Sequence, residues 1–202
     1  MQTFKLSEIA TIGSGLAPSR KKEVEMSDAK DVRIISVKDI ATNSSVIRED
    51  IGKLEKISDE KILGKFILSE NDIVITAKGS AIRSAVYKES DTCIVPTSNL
   101  SVIKTKNSEV LPEYLNVFLN LDRTVDAIKS KLTGTTIMSL SKKDLGQVEI
   151  LVPNLEEQEK LVRLAQEKER FIKAREDEIK YMDVIVENTI TNEIYNEENN
   201  EK

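Results

Sequence analysis

Short polar side chains and cationic ones recur together at turn-forming positions, and that combination suits contact with a polyanion and with the edges of bases. Four clusters carry it: Ser19-Arg20-Lys21-Lys22 after Pro18, Lys78-Gly79-Ser80 with Arg83, Thr97-Ser98-Asn99, and Thr133-Gly134-Thr135-Thr136. DNA readout relies on such groups projected from loops on a rigid scaffold. Any one cluster alone is equally well a solvated turn, because serine, threonine and glycine populate loops in general. Their recurrence around one domain points to a shared face.

Catalysis has much less to stand on. The chain contains no histidine, which removes serine-histidine-acid triads, cysteine-histidine dyads and most catalytic zinc sites. Gly13-Ser14-Gly15 lacks both a preceding strand and the third glycine of a dinucleotide loop, so it reads as a turn, and no phosphate-binding loop ending in Gly-Lys-Ser/Thr is found. Nor is there an Asp or Asn followed by two prolines and an aromatic residue, the grip of an amino-methyltransferase on a flipped base. Glu70 and Asp72 flank Asn71 ahead of an apolar strand, where a polar turn is the simple explanation. The run Ile73-Val74-Ile75-Thr76-Ala77-Lys78 offers no glutamate for a carboxylate-metal nuclease. No catalytic residue, metal ligand or cofactor is expected, and methyl transfer would fall to a partner.

The elements that must position these loops are strands. Val32 to Val37, Asp72 to Ala77, Ser84 to Tyr87, Cys93 to Pro96, Asn99 to Lys104 and Gln147 to Val152 are short apolar, β-branched runs bounded by polar or glycine punctuation. Helical spacing is read over Lys5 to Gly13 and over Glu113 to Lys131, the latter with Pro112 in its first turn and Gly134 as its stop. Ser141-Lys142-Lys143-Asp144-Leu145 suits a further short turn. The fold class is therefore α+β: one mixed, β-rich domain over residues 1–152. From Leu155 to about Ile194 there is no glycine or proline and good helix formers dominate. A stripe of Leu161, Ala165, Lys168, Ile172, Arg175, Ile179, Met182 and Val186 at alternating four and three spacing predicts a coiled-coil helix over 153–195, followed by a frayed polar tail at 196–202. At 1.5 Å per residue this helix reaches ~60 Å, so its stripe needs a partner. Lys168 and Arg175 in the seam either set register or snorkel outward.

Charge divides along the same line. Residues 1–152 hold 22 Lys/Arg against 21 Asp/Glu and residues 153–202 hold 8 against 14, so +1 and -6 make up the net -5. The acidity belongs to the helix and does not argue against DNA contact by the domain. Cys93, the one cysteine, reads as a half-buried core thiol. With no secretory signal core and no apolar run of the roughly 18 residues needed to span a bilayer, a cytoplasmic location is expected.

Taken in order, the segments resemble the specificity subunits of type I restriction-modification systems, as one target-recognition domain with its following helix. The most specific piece is Ile150-Leu151-Val152-Pro153-Asn154-Leu155-Glu156-Glu157-Gln158, similar to the family's strand, proline and Leu-x-Glu-Gln entry to the long helix. Lys5-Leu6-Ser7-Glu8-Ile9-Ala10 with Gly13 to Pro18, Ile34 to Ile40, Asn71 to Ile75 with Gly79, Leu111 to Leu115, and Gly134-Thr135-Thr136 before Lys143-Asp144-Leu145 support it. The resemblance implies a non-catalytic subunit with double-stranded DNA, modification methyltransferase subunits and a possible restriction subunit as partners. Relatives with two such domains pack their spacers antiparallel, so a single half implies either a homodimer through Leu161, Ala165, Ile172, Ile179, Met182 and Val186, forming an antiparallel coiled coil that reads two inverted half-sites, or a truncated or complementing half. It also implies a DNA face of Arg20, Lys21, Lys22, Ser36, Lys38, Lys78, Ser80, Arg83, Ser98, Asn99, Thr135 and Thr136. Lys78 and Arg83 would contact phosphate or guanine, and Asn99 would read adenine or cap a turn. The alternative is an interaction protein that uses the same helix without touching DNA.

Overall fold

A computed structural model describes residues 1–17, 30–40, 46–47, 51–57, 64–88, 93–106, 108–134 and 138–200, the side chains of 195–200 excepted. The chain divides into two compact units, Met1–Val162 and Arg163–Lys202.

The first unit is α+β. In chain order it contains β1 (Gln2–Lys5), α1 (Leu6–Ile9), β2 (Ala10–Ser14), β3 (Lys30–Ile35), a 3-10 turn (Val37–Asp39), β4 (Val46–Ile47), β5 (Lys53–Ile57), β6 (Ile73–Thr76), β7 (Ser84–Tyr87), β8 (Cys93–Pro96), β9 (Leu100–Thr105), α2 (Pro112–Leu119), α3 (Asp122–Lys129), α4 (Lys142–Gly146) and β10 (Glu149–Val152). Among the described residues three sheets form, in the orders β2-β9-β6-β7-β4, β5-β3-β8 and β1-β10. The five-stranded sheet is covered on both sides. Ile73, Ile75, Val86 and Ile103 face a core completed by Leu6, Leu115, Leu119, Ile128, Leu145 and Ile150, while Val74, Ala85, Tyr87, Leu100 and Val102 face a second core with Ile35, Ile40 and Ile94. Strands buried on both faces read as continuous apolar runs, which is why β6 to β9 are found within a residue or so of their expected positions. Cys93 is half-buried and packs on a third cluster built from Val32, Ile34, Phe66, Leu16 and Val95.

Several expected elements are corrected. Helical spacing from Lys5 to Gly13 yields only the single turn of α1; Ala10–Ser14 instead pairs antiparallel with β9, so Gly13-Ser14 lies in a strand and not in a turn. The expected helix from Glu113 to Lys131 is two helices broken at Asn120. The Asn120 amide leaves the helix to pair with the main chain of β7, its Oδ1 accepting from Ser84 N–H at 3.0 Å and its Nδ2 donating to Ser84 C=O at 2.9 Å. Ser84 Oγ donates to buried Asn116 Oδ1 at 2.7 Å, so α2 is locked to the sheet by a polar network inside the core. The α3 helix ends at Lys129, and Gly134 serves a later loop with φ of 113°.

The long helix α5 spans Leu155–Asn200. Its N-terminus is capped by Asn154, whose Oδ1 accepts from Glu157 N–H at 2.9 Å. Gln158 is fully buried, with Nε2 donating to Glu109 C=O (2.8 Å) and Pro153 C=O (2.9 Å) and Oε1 accepting from Leu111 N–H (2.9 Å). One side chain thus fastens the helix start to β10 and to the entry of α2. Tyr114 donates its hydroxyl to Leu151 C=O beside it. In the second unit Leu164, Phe171, Ile179, Met182, Val186, Ile190 and Ile194 are all exposed. Among the described residues no helix is long and apolar enough to cross a membrane.

Candidate nucleic-acid interface

At one end of the sheets β3 and β8 finish, β9 begins, and β6 gives way to the loop leading to β7. Main-chain hydrogen bonds tie these ends together. Thr97 N–H donates to Ile35 C=O at 2.8 Å, Ser98 N–H to Leu16 C=O at 2.8 Å, and Leu16 N–H to Pro96 C=O at 2.7 Å. Ala77 N–H donates to Asn99 C=O at 2.8 Å, and Ala77 C=O in turn accepts from Leu140 N–H at 2.9 Å. Gly79 N–H reaches Met138 C=O at 2.9 Å, and Thr133 and Ser139 exchange two bonds of 3.0 and 2.8 Å. Five segments distant in sequence therefore converge on one place.

Gly15 makes the convergence possible. A Cβ there would fall 2.2 Å from Thr97 O and 2.4 Å from Pro96 O, so any side chain would push the 97–99 turn off the strand end. Thr76 closes the neighbouring loop: its Oγ1 donates to Ala81 C=O at 2.7 Å and accepts from Arg83 N–H at 3.1 Å.

The expected contact residues fall as follows. Lys78, Ser80 and Asn99 are exposed, Ser98 and Arg83 are half-buried, and all five sit on the converging loops or, for Arg83, at the base of one. Asn99 holds the β6 end through its carbonyl. Ser36 follows directly on β3 and is engaged in a cap, both its N–H (2.8 Å) and its Oγ (2.9 Å) donating to Asp39 Oδ2. That cap shapes the turn carrying exposed Lys38. Arg20, Lys21, Lys22, Thr135 and Thr136 lie outside the described residues. Sequence reasoning missed Met138 and Ser139 and the close approach at Gly15, and it named Thr133 without its partner Ser139, because these contacts are set by the tertiary fold. Of the expected seam residues, Leu161, Ile179, Met182 and Val186 are exposed while Ala165 and Ile172 are half-buried.

Acidic groups that might have suggested catalysis hold structure instead. Asp72 is buried, accepts from Ser69 N–H at 2.9 Å and pairs with Lys104 at 2.8 Å. Glu113 pairs with Lys88, whose ammonium also reaches Asn71 Oδ1 at 2.8 Å. Burial pushes the Glu113 carboxyl up, but the Lys88 hydrogen bond, its own backbone amide and the Lys88 charge together hold it below the usual range. The site is thus a set of anchored loops presenting Lys38, Lys78, Arg83, Ser80, Ser98 and Asn99, without an acid-base pair among them.

Comparison with known proteins gives a consistent answer. The family model described as Type I restriction modification DNA specificity domain matches residues 1–181. No curated protein matches by sequence. Among solved structures, the HsdS subunit from Thermoanaerobacter tengcongensis aligns with TM-score 0.61 at 18% identity, covering 86% of this chain and 43% of that one. A chain from a structural study of complex assembly and conformational transition of the type I R-M system aligns at 0.58 and 17%, covering 86% and 39%. The type-I restriction-modification S subunit from M. genitalium aligns at 0.50 and 15%, covering 81% and 37%. These likenesses show the fold, and this chain spans about two fifths of the length of those it matches.

Proposed function

Because the chain belongs to the type I restriction-modification DNA specificity family, we propose that residues 1–152 read one half of a bipartite double-stranded DNA target while the helix from Pro153 onward sets the distance to a second reader. The carrying observation is the convergence of residues 15–16, 35–38, 77–80, 97–99, 133–134 and 138–140 on one end of the domain. Loops fixed to each other by main-chain bonds hold their polar tips at defined separations, as base-edge readout requires. The role is recognition; methyl transfer belongs to modification methyltransferase subunits docked on the assembly.

The second reader is another copy of this chain. Pairing the stripe antiparallel sets Leu161 opposite Val186, Ala165 opposite Met182, Lys168 opposite Ile179 and Ile172 opposite Arg175. Charge favours this orientation over a parallel one. Residues 160–175 hold six basic against two acidic side chains, and residues 172–187 hold three basic against five acidic. Antiparallel pairing brings a +4 stretch against a -2 stretch, whereas parallel pairing opposes +4 to +4.

A near-neutral domain neutralises few phosphates, so a single copy binds DNA weakly and the assembly supplies the rest. The test is a salt-titrated DNA-binding assay with and without the modification methyltransferase. Binding that strengthens with the partner and falls steeply with salt supports the reading. Binding unmoved by both favours an interaction protein that never touches DNA.

A further inference from the structure

A groove in the first unit lies between α3 and the β1-β10 pair. Its floor is apolar, from Phe118, Leu121 and Leu151, and Arg123 and Lys131 stand on its walls. Leu121 is 48% and Leu151 42% exposed, and the two share one groove and so form an apolar patch rather than scattered surface leucines. Glu149 also lines it, with Lys5 as its cross-strand neighbour.

The distal helix has the complementary problem. Its seam stops at Val186, because the next positions in the four-three pattern are Thr189 and Glu193. Beyond that point the apolar residues step by four, to Ile190 and Ile194, each 54% exposed and off the seam. A coiled-coil partner leaves these two isoleucines uncovered. Acidic Glu187 and Glu193 flank them, and residues 176–194 hold six acidic side chains against one basic.

We propose that in the antiparallel homodimer the Glu187–Ile194 segment of the second copy docks in this groove. Ile190 and Ile194 cover Leu121, Leu151 and Phe118, and Glu187 and Glu193 approach Arg123 and Lys131. The inference rests on the antiparallel pairing above, whose register carries Ile190 of the second copy to the level of Glu157 and Ile194 to the level of Pro153. Leu151 lies two residues before Pro153. Docking at both ends would fix each recognition domain to the far end of the other copy's helix and stiffen the spacing between the two readers.

The experiment uses full-length chains in a Cys93→Ser background. One chain carries Leu151→Cys and the other Ile194→Cys; after mixing and mild oxidation, a heterodisulfide between them is expected. A parallel mixture of Ala165→Cys with Met182→Cys reports the seam itself. Reversing Arg123 and Lys131 to Glu should suppress the groove cross-link and raise the dimer dissociation constant about tenfold, and adding Glu187→Lys with Glu193→Lys should restore both. A seam cross-link without a groove cross-link overturns the docking and leaves the antiparallel reading standing. Monomeric chains with neither cross-link overturn both.

Discussion

Replacing Gln158 by Leu keeps the side-chain size roughly constant while deleting the three hydrogen bonds that fasten the helix to the domain. The half-buried Leu111 N–H loses its acceptor, and the Glu109 and Pro153 carbonyls lose a donor each. An orphaned buried polar group costs about 1–3 kcal/mol. Leu111 is half-buried and Glu109 lies at a turn, so water recovers part of the loss; the net is ~2–4 kcal/mol. With a urea m-value of about 2 kcal/mol/M, inside the usual range of about 1–3, the unfolding midpoint should fall by roughly 1–2 M. Equilibrium urea unfolding, followed by the fluorescence of Tyr114 and the other tyrosines, measures it. A midpoint within about 0.2 M of wild type would refute the idea that this glutamine joins helix to domain.

Other perturbations address the sheet, the loops and pH. Asn120→Ala removes the side-chain amide that pairs with both main-chain groups of Ser84, and should destabilise by about 1–3 kcal/mol; an unchanged thermal midpoint would contradict that pairing. Lys78→Glu with Arg83→Glu should weaken DNA binding by the assembled complex across all sequences and lower its salt slope by about two, whereas unchanged binding would remove these residues from the DNA face. Glu113 has its carboxyl held below 4.5 in the folded chain, so its contribution is present above that value and lost as pH falls through the folded pKa. Glu113→Gln should therefore lose less stability than wild type on acidification, and identical acid limbs would count against the Lys88 pairing. Tyr114 is raised above 10.0 by burial and by the Glu157 charge; its contribution is present below that value and lost as pH rises through the folded pKa. Tyr114→Phe should flatten the alkaline limb.

The strands at the centre of the domain were legible because both faces are buried. Ile73-Val74-Ile75 and Leu100 to Ile103 carry their apolar character without interruption. Some strands at the margins were not. Lys53-Leu54-Glu55-Lys56-Ile57 forms β5 on the edge of a three-stranded sheet with a mostly charged sequence, and β2 was hidden because pairing with β9 overrides the helical spacing around it. The same distinction holds at the site. The loops bearing Lys78 and Asn99 announced themselves by composition, but their meeting depends on Ala77, Leu16 and Ser139, whose bonds link residues far apart in sequence. Gln158 was visible as part of a motif; what it grips required the fold.

In the proposed assembly two copies of this domain, held at a fixed spacing, select a DNA sequence. Selection from random double-stranded DNA by the assembled complex with its modification methyltransferase tests it most directly. Two identical half-sites in inverted orientation, separated by a spacer of constant length and indifferent sequence, should be enriched. Enrichment of one undivided site, of half-sites in direct repeat, or of no sequence at all would contradict it.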